Sequence, residues 1–121
     1  FCDGKWTRRW LKRPGGQVTG IVIMAEADRV IVATSQGFLL CYDLTGGLLW
    51  HHLFTHGLQH LTHLKQQVVA VDKIGMIRII DLNGNIKEQP TLPGPCSRHI
   101  SIDESISFAC DREIWYYDDE G

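Results

Sequence analysis

The longest apolar runs of the chain, residues 20–25 and 30–33, fall far below the roughly 18 residues a membrane helix needs, so no segment is a transmembrane candidate. Cysteine is sparse, with Cys2, Cys41, Cys96 and Cys110 only, and no two stand at CxxC spacing, which excludes a zinc knuckle. Cys41 and Cys110 lie in apolar stretches and read as reduced, buried thiols; a reducing, cytoplasmic compartment is the expectation. Catalytic signatures are missing too: there is no GxSxG, HExxH, GxxxxGK[ST] or helix-opening GxGxxG. There is no initiator methionine, and FCDGKW resembles neither a charged leader nor an apolar signal core, so the chain reads as an excised or processed piece. No window carries a sustained helical apolar stripe with caps at both ends; only 58–64 is ambiguous between helix and strand. An all-β fold is expected.

What is present is a repeat. A short apolar strand, a turn, a second apolar strand ending in aspartate and a glycine three residues later recur as VIVATSQGFLLCYDLTG, VVAVDKIGMIRIIDLNG and ISFACDREIWYYDDEG. The glycines are Gly46, Gly84 and Gly121, and the aspartates Asp43, Asp81 and Asp118. A period near forty residues marks units that cannot bury their apolar faces alone and must stack. With 44% hydrophobic and 21% charged residues in 121, the chain has ordinary globular composition and room for one domain.

Alternation and turn residues predict strands at 18–24, 29–34, 38–43 and 48–54, then 58–64, 68–72, 76–81 and 85–88, and finally 98–102, 106–110 and 113–117. The expected units are 1–16, an outer strand and loop; 17–55, a first four-stranded unit; 56–90, a second; and 91–121, a third lacking its fourth strand. The pair Asn83-Gly84 suggests a tight hairpin with positive φ angles. Lys5 to Leu11 is placed as the outermost strand of another unit, with Gly4 as its turn glycine and the Pro14, Gly15, Gly16 run as the following loop. Its cations would then lie near the acidic group Asp118, Asp119 and Glu120, although exposed ion pairs contribute only about 0 to 1 kcal/mol each.

The string GFLLCYDLTGGLLW at 37–50 resembles the repeat of the PQQ-like (quinoprotein-type) β-propellers, in which a strand ends at aspartate, a turn carries glycine and the next strand begins with tryptophan. Asp43, Gly46 and Trp50 match that pattern, and Asp81 and Gly84 repeat its first two positions, with Glu88 at the tryptophan position. WD-repeat propellers share the blade layout, and YYD at 116–118 is no closer to one family than to the other. The resemblance implies about three blades of a β-propeller. Closed propellers typically have four to eight. The chain is therefore expected to be part of a longer protein, or else to form a ring of copies in which each N-terminal strand completes a neighbour's last blade.

His51, His52, His56, His60 and His63 fall within thirteen residues, and such spacing can bind zinc or copper. In a strand, however, His60 and His63 point to opposite faces, so the histidines are read as solvated or hydrogen-bonded; His56, His60 and His63 are the residual metal candidates. KWTRRWLKR interleaves two tryptophans with five cations, and Lys5, Trp6, Arg8, Arg9, Trp10, Lys12 and Arg13 are the candidate partner-binding residues. Residues 1–16 sum to a charge of +4 but the whole chain to −2, which does not suit a dedicated nucleic-acid binder.

The functional expectation is a non-catalytic propeller segment acting as a protein-interaction scaffold. Its partner would be another protein or further blades, with a homo-oligomer as an option; no cofactor, nucleic acid or membrane span is expected. Two alternatives stand beside it: a piece of a quinoprotein-like oxidoreductase, and a ring-forming binder of a small ligand or glycan.

Overall fold

A computed structural model describes residues 9–89, 91, 92, 94–102, 105–110 and 113–118, which form three small antiparallel sheets. The first orders β1 (Val18–Met24), β2 (Arg29–Thr34), β3 (Phe38–Tyr42) and β4 (Leu48–Leu53) in sequence. The second repeats this with β5 (Leu58–Leu64), β6 (Gln67–Asp72), β7 (Ile77–Ile80) and β8 (Ile86–Glu88). The third contains β9 (Cys96–Ile102), β10 (Ser105–Cys110) and β11 (Glu113–Asp118), with β10 central. The ambiguous 58–64 segment is a strand, because Leu58 and Leu61 find an apolar neighbour in the first sheet. A 3-10 turn at Ala25–Ala27, which periodicity did not reveal, links β1 to β2.

The strands alternate, and both faces of each sheet are apolar. In the first blade Ile31, Ala33, Leu39 and Cys41 face forward and pack on Leu58, Leu61, Val68, Ala70 and Ile80 of the second. In the second blade Val69, Val71 and Ile77 face forward and pack on Ile106, Phe108 and Cys110 of the third. Backward faces therefore use Val30, Val32 and Tyr42 in the first blade where the second uses Val68, Ala70 and Ile80. Two-sided burial explains the near-continuous apolar runs of the central strands. Gly20 permits the close approach of the first two blades, since a Cβ there would stand 2.8 Å from Cβ of Leu61.

The outer hairpins turn on the repeat aspartates. Gly46 N–H donates to the Asp43 carbonyl and Gly84 N–H to the Asp81 carbonyl, both at 3.1 Å, with φ of 95° and 90° at the glycines. The register slips by one residue beside each turn, between Cys41 and Tyr42 and between Ile79 and Ile80. The mirror-image hairpin expected at Asn83-Gly84 is thus corrected: Gly84 adopts positive φ and Asn83 does not. The Asp81 carboxylate holds Asn83 in an ordinary turn by accepting its N–H at 2.9 Å, and the glycine forms the bulge. The outer strand placed at Lys5 to Leu11 lies mostly outside the described residues. Its described part, 9–11, belongs to no strand, since no described sheet edge lies in register to pair with it.

Candidate functional site

The best-defined constellation is where one blade's outer edge meets the next blade's turn. Trp50 on β4 donates its indole N–H to the Leu82 carbonyl at 2.9 Å, and the ring covers Gly84. Next along β4, His52 places Nε2 2.7 Å from the Gly84 carbonyl and lies between Trp50 and Phe54, with ring centroids 5.7 and 5.5 Å away. Phe54 in turn carries the Arg78 guanidinium 4.1 Å from its ring centroid, a cation–π contact. Arg78 donates to the buried Asp72 carboxylate at 3.0 Å. Asp72 also accepts the N–H groups of Ile74 and Met76 at 3.1 and 3.0 Å. Its first-blade counterpart is Thr34, whose hydroxyl accepts the Phe38 N–H at 3.1 Å, and Leu40 stands where Arg78 does.

The N-terminal segment repeats this arrangement forty residues earlier. Trp10 donates its indole N–H to the Leu44 carbonyl at 3.0 Å and covers Gly46 as Trp50 covers Gly84. Trp10 also packs on Tyr42 at 5.8 Å, and Lys12 sets its ammonium 5.8 Å from the same ring. Trp10, Lys12 and Pro14 thus take the inward course of Trp50, His52 and Phe54, while Arg9, Leu11 and Arg13 face solvent as His51 and Leu53 do. Of the cationic candidates, Arg9, Trp10, Lys12 and Arg13 are described; Lys5, Trp6 and Arg8 lie outside the described residues, as does Gly121. Asp118 closes β11.

The histidines are dispersed. His52 joins the inter-blade ladder, His56 is exposed in the loop before β5, and His60 and His63 lie on β5, with His63 Nδ1 3.3 Å from the Lys65 carbonyl. Among the described residues no three His, Cys, Asp or Glu side chains converge on a metal position. The ladder role of His52 left no motif in the sequence; its only signal was alternation with Trp50 and Phe54 on β4. An open hollow of about 530 Å³ lies at one end of the inner strands, lined by Ile23, Met24, Glu26, His63 and Lys65 among others.

The turn carboxylates titrate low. Asp43 is held below the usual carboxylate range by the Thr45 hydroxyl and then by the Gly47 and Thr45 N–H groups; burial opposes this more weakly than the hydrogen bonds favour it. Asp81 is lowered chiefly by the Asn85 N–H, with the Asn85 amide, Asn83 and Lys87 adding to it. Cys41 and Cys110 are free buried thiols, and burial pushes the Cys41 thiol up to about 11. No helix among the described residues is long and apolar enough to cross a membrane.

No family profile matches the chain, and no curated protein matches its sequence. Its structure is similar to many solved ones. The computationally designed Ika4 protein superposes with a TM-score of 0.77 at 17% identity, over 90% of this chain and 70% of Ika4. The C-terminal WD40 domain of Sif2 gives 0.69 at 15% identity, over 84% of this chain and 31% of that domain's chain. BamB from Moraxella catarrhalis, a PQQ-like β-propeller, gives 0.62 at 22% identity, over 68% of this chain and 26% of BamB. The chain thus spans roughly a quarter to a third of these two natural propellers. Its fold is that of a β-propeller repeat, in the layout that PQQ-like and WD-repeat proteins share.

Proposed function

We propose that the chain serves as a non-catalytic interaction scaffold whose partner surface is the outward side of the N-terminal segment. The observation that carries this reading is the anchorage of Trp10. Its indole, fixed on Leu44 and Tyr42, turns Lys12 and Pro14 inward and leaves Arg9, Leu11 and Arg13 on the outside. Two cations flanking an exposed leucine on an immobilised backbone suit an acidic protein segment with an apolar residue between its carboxylates. Such a strip loses little side-chain and backbone freedom on binding. Lys5, Trp6 and Arg8 would extend it. A similar propeller, BBS1N, was solved in complex with ARL6DN, so the fold is compatible with a protein partner (TM-score 0.64, 14% identity).

The test is a display library of acidic peptides panned against the chain. Salt-sensitive binders that are lost in the Arg9→Glu/Arg13→Glu variant are expected. Recovery of no binder, or of binders indifferent to that variant, rejects the reading.

A further inference from the structure

The two terminal blades leave opposite kinds of face uncovered. In the second blade, Leu58 and Leu61 on the innermost strand are 0% and 7% exposed because the first blade covers them. Their counterparts forty residues earlier, Val18 and Ile21, are 48% and 60% exposed. At the other end, Val71 and Ile77 of the second blade are buried against the third, whereas Ile114, the counterpart of Ile77, is 81% exposed and Tyr116 is also open. The first blade therefore shows a bare backward face, and the third a bare forward face. These are the two halves of one repeated interface.

A second relation is independent of the faces. Residues 10–14 cross the first blade as Trp50 to Phe54 cross the second, and the latter segment contains the outermost strand of the blade in front, paired to β3. Residues 10–14 thus hold the course of a fourth strand whose own sheet is absent from behind the first blade. The third sheet has three strands among the described residues, and β11, the counterpart of β3, is its edge.

We propose that the occupant of both surfaces is a second copy of this chain. Residues 9–14 of one copy add as the fourth strand to β11 of the other, and the forward face of that third blade, with Ile114 and Tyr116, packs on Val18, Ile21, Val30 and Val32. The contact is heterologous and made twice, so two copies of three blades close into a ring of six, within the usual four to eight. The partner is specified by continuity: the surfaces to be covered are the same positions that the two existing blade interfaces bury.

Light scattering on the full chain tests this. A folded species of twice 13.7 kDa is expected. Ile21→Glu and Ile114→Glu alter residues exposed in a single copy, so each should leave the far-ultraviolet dichroism unchanged in shape while shifting the mass to that of one chain. A folded single chain in the unsubstituted protein, a double mass that survives both substitutions, or a chain that folds only with further blades fused to it overturns the proposal. These variants leave Arg9 and Arg13 in place, so their failure is separate from failure of the acidic-peptide test.

Discussion

Trp50 lies flat over Gly84, so close that a Cβ on the glycine would stand 2.7 Å from the indole Cγ. One residue carries the ring, and another in the next blade carries the absence of a side chain that lets the ring descend to the Leu82 carbonyl. Trp10 and Gly46 repeat the relation, with the corresponding separation at 3.0 Å.

Replacing either member of the pair should loosen the join between the first two blades. Trp50→Ala is expected to cost about 3 kcal/mol, the low end for tryptophan truncation, because the ring is only half-buried. Gly84→Ala carries a left-handed backbone penalty of about 1 to 2 kcal/mol and in addition lifts the indole from its acceptor. Urea unfolding reads both. A change below about 0.5 kcal/mol at either position removes the pair from the join.

The buried pair of Asp72 and Arg78 invites a two-step exchange. Asp72→Ala strands a guanidinium that is nearly enclosed beneath Phe54 and should cost about 3 to 5 kcal/mol. The first blade does without the charge, using Thr34 and Leu40 at the same places. Asp72→Thr combined with Arg78→Leu should therefore recover to within about 1 kcal/mol of the parent, since an apolar pair of similar volume loses no net solvation. A double variant as unstable as the single one would show that the charge pair itself is required.

Acid should weaken the outer turns. Asp43 and Asp81 have folded-state pKa values below their unfolded ones, so the unfolded chain binds the extra protons first. Their contribution is complete above the unfolded value near 3.9 and is lost as pH falls from there through the lower folded values. The urea midpoint, followed downward from about pH 5, should fall in that window. The fall should be smaller in the Asp43→Asn/Asp81→Asn variant, and an equal fall in both proteins would assign the effect to other carboxylates.

Cys41 should be chemically silent in the folded protein. Its side chain is fully buried and its pKa near 11 leaves almost no thiolate at neutral pH. Peptide mass mapping after iodoacetamide treatment should find it unmodified until denaturant is added. Modification at the rate of an exposed thiol would mean that the interface of the first two blades opens.

The repeat itself was legible because Asp43 with Gly46 and Asp81 with Gly84 are chemical requirements of one turn, and alternation fixed the strands on either side. Eight of the strands fill two four-stranded sheets, as expected from that spacing. The first-blade strand Val18–Met24 begins and ends where turn residues and apolar alternation set its limits. What could not be read was pairing between blades. His52 looked like one of five clustered imidazoles, and only the fold shows it stacked between Trp50 and Phe54 against the Gly84 carbonyl. The Asp72–Arg78 pair was equally hidden, since a separation of six residues says nothing until β6 and β7 lie side by side. Trp10 was grouped with surface cations, because its acceptor lies 34 residues away.

The assignment of one residue parity to the forward face and the other to the backward face gives the stack a direction, and nothing in the chemistry of such a junction limits how many times it recurs. What ends the series is angle. Each junction rotates its blade by an amount set where side chains touch near the axis, and the bare backbone of Gly20 against Leu61 is such a point. A methyl group there would act as a wedge rather than a simple loss of packing. It would change the radius at which successive blades meet, and with it whether the series shuts on itself or spirals past its starting point into a fibre.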